Sequence, residues 1–232
     1  MKPETILIAL LTLGLAACSN KTPEQEPDEN PTLEEAFTKD DGSRRKNIAV
    51  SMENADDVST SEHGEEKLEV VPLQHGSLLL KWKNRVIAVD PVTPALEAAP
   101  GDEPKADAIF VTHIHGDHLD PAAIAELRKE GAPVIAPQSV ADKAGDALPS
   151  PTVVANGESV EIFDGAAKAA AVAMYNLVRK RDNGEFYHPK GRGNGYVLTL
   201  GSTRIYVSGD TECTPEMKTL EEIDLAFVCM NL

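Results

Sequence analysis

Aromatic residues are scarce in this chain of 232 residues, with one Trp, four Tyr and five Phe, or 4% in all. At 41% hydrophobic, its core must therefore be mainly aliphatic. Cations are few as well. Twenty-two Lys and Arg stand against 38 Asp and Glu, a formal charge of -16. That balance excludes a nonspecific nucleic-acid binder, which needs a cationic surface. Three cysteines (Cys18, Cys213 and Cys229) are too few for a disulfide framework. The apolar stretch Ile6 to Ala17 matches a signal h-region and is too short to span a bilayer.

Residues 19–66 are poor in apolar side chains, carry 14 acidic and five basic residues, and are interrupted by Pro23, Pro27 and Pro31. Little there offsets the entropy of ordering, so the stretch reads as a tether. The folded domain is expected over 67–232. Leu68 to Leu73, Ser77 to Trp82 and Arg85 to Val89 read as strands, with Lys83-Asn84 as a hairpin turn. Downstream, apolar strand-like runs alternate with helical patterns, the mark of an α/β layered fold.

The densest chemistry lies in Thr112-His113-Ile114-His115-Gly116-Asp117-His118-Leu119-Asp120. An apolar run, Ala106 to Val111, leads into it, and a helical pattern from Pro121 to Lys129 leaves it. A loop at the carboxyl end of a strand is where α/β proteins place ligands. In extended backbone His113 and His115 leave one face, while Asp117 and His118 can serve a neighbouring position. Imidazole with carboxylate suits zinc and related first-row metals. Three of the chain's six histidines fall in this stretch, which disfavours an ordinary polar loop.

His113-Ile114-His115-Gly116-Asp117-His118 resembles the HxHxDH signature of the metallo-β-lactamase fold hydrolases. The resemblance implies an αββα sandwich and up to two divalent ions, zinc first and manganese or iron as alternatives. His113 and His115 would hold one ion, Asp117 and His118 the second. Gly209-Asp210-Thr211 resembles the family motif whose aspartate bridges both ions. His188, in His-Pro-Lys-Gly, is the expected further ligand of the first site. Asp90, before Pro91, is either a residue orienting a metal-binding histidine or a strand cap, and His75 either approaches the cleft or sits in an ordinary turn. Lys190 and Arg192 are expected to clamp an anionic small-molecule substrate. The implied chemistry is hydrolysis of an ester, lactone or phosphodiester by metal-bound hydroxide. Leu119-Asp120-Pro121 is similar to the branch of ascorbate-phosphate lactonases and of the phospholipase D acting on N-acyl ethanolamine lipids.

Two further expectations rest on resemblance. Leu15-Ala16-Ala17-Cys18 resembles a bacterial lipobox, which implies cleavage, lipidation of Cys18 and a periplasm-facing place on the outer membrane. Family members continue past Met230-Asn231-Leu232 to a last strand and a histidine closing the second metal site. Their absence implies a truncated domain with doubtful activity, or a non-catalytic lipoprotein, whose open edge an oligomeric partner would complete.

Overall fold

A computed structural model describes residues 48–50, 68–99 and 104–229. Cys18, the lipobox and most of the acidic stretch lie outside the described residues. One departure appears within that stretch. Ile48–Val50 (β1) pairs in parallel with Leu68–Pro72 (β2), so the sheet begins earlier than the tether reading placed it.

Strands β2, Leu78–Trp82 (β3) and Arg85–Val89 (β4) form an antiparallel meander. Lys83 and Asn84 both take positive φ, 47° and 59°, which matches the right-handed twist of a two-residue hairpin. Helix Thr93–Glu97 (α1) follows β4, and Ala108–Phe110 (β5) then joins β4 in parallel. Helix Pro121–Leu127 (α2), strand Val134–Ala136 (β6), helix Gln138–Ala144 (α3) and strand Thr152–Val153 (β7) complete a sheet ordered β1-β2-β3-β4-β5-β6-β7.

The second sheet holds Ser159–Ile162 (β8), Ala167–Met174 (β9), Gly193–Leu200 (β10), Thr203–Val207 (β11) and Leu225–Phe227 (β12), in the order β12-β11-β10-β9-β8. Helix Pro215–Lys218 (α4) packs on its outer face.

The two sheets face one another across the main core. Leu68, Leu80, Ile87 and Phe110 from the first meet Ala169, Tyr196, Leu198 and Ile205 from the second. Most of these are aliphatic, as the composition requires. The rings of Phe110 and Tyr196 meet edge to face with centroids 5.0 Å apart. On the first sheet's other face, Ile109 and Val111 pack with Ile124, Leu127 and Val140 of α2 and α3. The result is helix, sheet, sheet, helix: the expected αββα sandwich. Two facing sheets bring the carboxyl ends of β4, β5 and β9 and the segment after β11 to one rim, where the histidines gather.

Candidate metal centre

Asp120 builds the metal loop from below. Its Oδ1 accepts from the N–H groups of Ala122 and Ala123 and caps α2, while its Oδ2 accepts from Thr93 N at 2.9 Å. Pro121 occupies the first turn, where its missing N–H costs nothing. The loop between β5 and α2 is thereby held at both ends, since Asn194 of β10 donates its backbone N–H to Thr112 O at 2.9 Å.

Within this frame four donors converge. His113, His115, His188 and Asp210 each offer one atom, and these atoms all lie within 4.8 Å of one another. His115 Nδ1 is 3.0 Å from both His113 Nε2 and His188 Nε2. Asp210 Oδ2 lies 3.8 Å from His113 Nε2 and 3.6 Å from His188 Nε2. A tetrahedral ion bound at ~2.05 Å sets its donors roughly 3.3 Å apart, and the observed spacings bracket that value. The donor set therefore fits a first-row divalent cation. Asp210 turns its other oxygen, Oδ1, to His118 Nε2 at 3.3 Å. One carboxylate thus faces two groups of ligands. Asp117 stays on the rim, its side chain 54% exposed and its Oδ2 3.9 Å from His118 Nε2.

Outer partners orient these rings. Asp90 is buried and accepts from Thr112 N at 2.7 Å, from Thr112 Oγ1 at 2.6 Å and from His118 Nδ1 at 2.7 Å. The Thr112 hydroxyl donates its hydrogen bond to Asp90 Oδ2, so its oxygen is left to accept from His113 Nδ1, 2.9 Å away. His113 Nε2 is then a lone pair aimed into the cluster. His188 Nδ1 donates to Asn176 Oδ1 at 2.9 Å, with the same consequence for its Nε2. Asn176 in turn donates to Glu212 Oε1 at 3.2 Å, and Glu212 also accepts from the N–H groups of Leu177, Val178 and Arg179. The segment Asp210-Thr211-Glu212 supplies both a ligand candidate and the carboxylate that ties down the neighbouring loop.

The sequence candidates fall into two sets. The structure brings His113, His115, His118, His188 and Asp210 together, with Asp117 at the edge and Asp90 behind His118. His75 does not join them. It is exposed in the turn between β2 and β3 at φ 56°, and it is the neighbouring Gly76 that packs on His118. Lys190 also points elsewhere. Its ammonium pairs with Glu216 Oε1 at 2.6 Å and lies over the Tyr175 ring, so α4 neutralises the expected anion clamp. Arg192 does line the cleft beside the histidines. Arg181, one of the basic residues of the loop between β9 and β10 that from sequence reads either as fitting an anionic substrate or as solvated, lines it too, with Nη2 3.4 Å from His115 Nε2. Thr112, Asn176 and Glu212 were not singled out. Their signal is weak: a threonine before the motif, an asparagine at a strand end, and a glutamate two residues past Asp210.

Gly76 supports a sharp expectation. A Cβ there would stand 2.8 Å from His118 Cε1 and 3.2 Å from Nδ1. Gly76→Ala should push the ring off Asp90 and weaken metal at the His118 side by ~10–100-fold, the usual effect of disturbing an outer partner. Zinc titration of the variant tests this, and an unchanged second binding event would refute it.

Protonation separates the two sides. Burial lowers the pKa of His188 to about 4, despite the nearby Asp210, and burial likewise lowers those of His113 and His115. For His118, burial works downward but is outweighed by the Asp90 and Asp210 carboxylates, which push it up to about 10. Asp210 itself, though burial opposes ionisation, is held below the usual carboxylate range by His118, His113 and His188. At pH 7 the metal-free site thus has three neutral histidines and one imidazolium. A cation meeting His118 must displace its proton, so affinity there should rise about tenfold per pH unit between pH 6 and 7.5. Affinity at the three neutral rings should be nearly flat over that window. Zinc calorimetry in buffers of different ionisation enthalpy would read the proton release, and a second event with none would contradict the charged state of His118.

Two packed sheets with helices outside, and a histidine–aspartate cluster at the strand ends, define a metallohydrolase centre on the metallo-β-lactamase fold. Residues 69–230 match the β-lactamase superfamily domain, and the chain belongs to that superfamily, among its metal-dependent hydrolases. A crystal structure from Parabacteroides distasonis, of a protein assigned as a metal-dependent hydrolase, superposes with a TM-score of 0.62 at 41% identity, covering 70% of this chain and 69% of that one. Among curated relatives, a UPF0173 metal-dependent hydrolase of Thermococcus onnurineus is 28% identical over 67% of this chain and 69% of its own length. Another, from Aeropyrum pernix, is 30% identical over 65% of this chain and 64% of its own. The matched region is about two-thirds of each relative.

Proposed function

We propose that this domain hydrolyses an ester, lactone or phosphodiester with zinc, manganese or iron as its divalent ion. The observation that carries the reading is the sharing of Asp210 between two ligand groups, Oδ2 toward His113 and His188, Oδ1 toward His118. A divalent pair there would supply Lewis acidity and an acidified water. The chain's own part is to hold His113, His118 and His188 each in one tautomer, through Thr112, Asp90 and Asn176, and to keep the cluster at the floor of a cleft. Leu119-Asp120-Pro121 supports placing the chemistry nearer the lactonase-like branch. Assays on lactones, phosphodiesters and aryl esters, with bound metal quantified alongside, test the reading. Turnover should vanish with chelator and return with metal. Turnover that survives both chelation and His113→Ala would overturn it.

The cell envelope is the proposed location, with the domain tethered to lipid through Cys18 and the acidic segment ahead of β1. The lipobox-like Leu15-Ala16-Ala17-Cys18 supports this reading. Labelled palmitate should enter the wild-type chain and not Cys18→Ala, and absence of label from both would remove the anchor.

A further inference from the structure

Arg181 and Arg192 are the two cations lining a cleft of about 210 Å³ that opens onto His113, His115 and His188. Neither guanidinium has a carboxylate partner among the described residues, although the chain carries an excess of 16 acidic groups. Lys190, by contrast, is neutralised by Glu216. One acid, Glu185, lines the cleft, and its carboxylate is engaged by Asn183 Nδ2 at 3.0 Å.

Arg181 is held rather than loose. Its guanidinium stacks on Tyr187, 4.6 Å from the ring centroid, and its backbone N–H donates to Glu185 O at 2.7 Å. The strap that carries it is fixed at its start by Glu212, through the N–H groups of Leu177, Val178 and Arg179. The tautomer of His115 adds a second donor. When Nδ1 turns its lone pair to a cation, the ring proton sits on Nε2. Arg181 Nη2 lies 3.4 Å from that atom, so two donors then face the same space with no acceptor between them. An anionic oxygen is the group that satisfies both. The rest of the wall is apolar, with Ile114, Phe186 and Tyr187 beside the opening.

We propose that the substrate is an anion, bound by a carboxylate or phosphate group between Arg181 and Arg192, with an apolar or aromatic body against Phe186 and Tyr187. This names the substrate class of the hydrolase reading, but the binding step stands apart from the chemistry. Arg181 is a specificity residue here, and Lys190 is not.

Two measurements on the full chain test it. In the first, zinc-loaded protein is titrated with phenyl phosphate, benzoate and benzyl alcohol. An anion should bind at least ten times more tightly than the alcohol. Which of the two anions binds better tells phosphate from carboxylate recognition. Arg181→Gln or Arg192→Gln should remove the difference, Arg181→Lys should retain part of it, and Lys190→Gln should leave it in place. In the second, zinc-loaded protein is given phenyl acetate and 4-acetoxybenzoate, and kcat/KM should favour the anionic ester through KM. Equal binding of benzyl alcohol and both anions, or an anion preference indifferent to both arginine substitutions, would overturn the proposal. Failure to hydrolyse either ester would count against the hydrolase reading, while the binding comparison would still decide the anion site.

Discussion

Asp90→Ala is expected to lower the unfolding free energy by about 3–5 kcal/mol, the range seen when one partner of a buried charged pair is deleted. Asp90 is only 1% exposed and receives three hydrogen bonds, two from Thr112 and one from His118. Alanine would strand the Thr112 N–H and hydroxyl and leave an imidazolium facing no carboxylate behind it. It would not relieve the backbone, which has φ 46° at this position and is pinned by Ser77 Oγ donating to the Asp90 carbonyl at 2.5 Å. Asp90→Asn separates the parts of the effect. An amide keeps the volume and one acceptor, so the loss should be smaller, while the pKa of His118 should fall from about 10 toward its ordinary value. Urea unfolding of metal-free protein reads the first quantity and histidine NMR titration the second. A cost under ~1 kcal/mol for Asp90→Ala would mean that the metal loop holds its shape without this carboxylate.

The ligand candidates of the metal loop were legible because they are local. His113, His115, Asp117 and His118 sit within six positions, and their spacing on a strand-end loop carries the chemistry with it. The meander of β2 to β4 was legible for a similar reason: its alternation and its Lys83-Asn84 turn are nearest-neighbour features. What orients the ligands is not local. Asp90, named from sequence as either an orienter of a metal-binding histidine or a strand cap, reaches His118 across 28 residues, while Glu212, which was not named, reaches the Leu177 to Arg179 backbone across 33 to 35. Sequence offers no register for such pairings before the sheets are assembled. The choice between cations failed on the same ground. Lys190 stands in a glycine-rich, ligand-like setting, but its partner Glu216 comes from a helix 26 residues later. Arg181 stands in a basic run that reads equally as solvated or as fitting an anion, and only the fold brings it to His115. Strand β1 was hidden because three residues, Ile48-Ala49-Val50, are too few to show a period.

Asp210→Ala is expected to weaken both metal events together, whereas each histidine should weaken one. The reason is the division of its oxygens. Oδ2 stands with His113 and His188, and Oδ1 with His118. His188→Ala should cost the three-histidine side its ion and spare the other, and His118→Ala should do the reverse. For the deleted ligand itself, affinity should fall by more than the ~10–100-fold that an outer partner costs. Unfolding is a poor alternative explanation for Asp210→Ala. The Asp210 side chain is 20% exposed, and His118 keeps its bond to Asp90 when Asp210 is gone. Circular dichroism of the variant should therefore match wild type, which leaves the metal measurement to report on the site. If Asp210→Ala loses one event and keeps the other at wild-type affinity, the carboxylate serves a single ion, and the shared arrangement proposed for hydrolysis is wrong. If it loses both while His188→Ala and His118→Ala each lose one, the two ions are coupled through one side chain. Any substrate that needs both must then be turned over in proportion to the doubly loaded fraction, so the pH dependence of activity should follow the proton leaving His118.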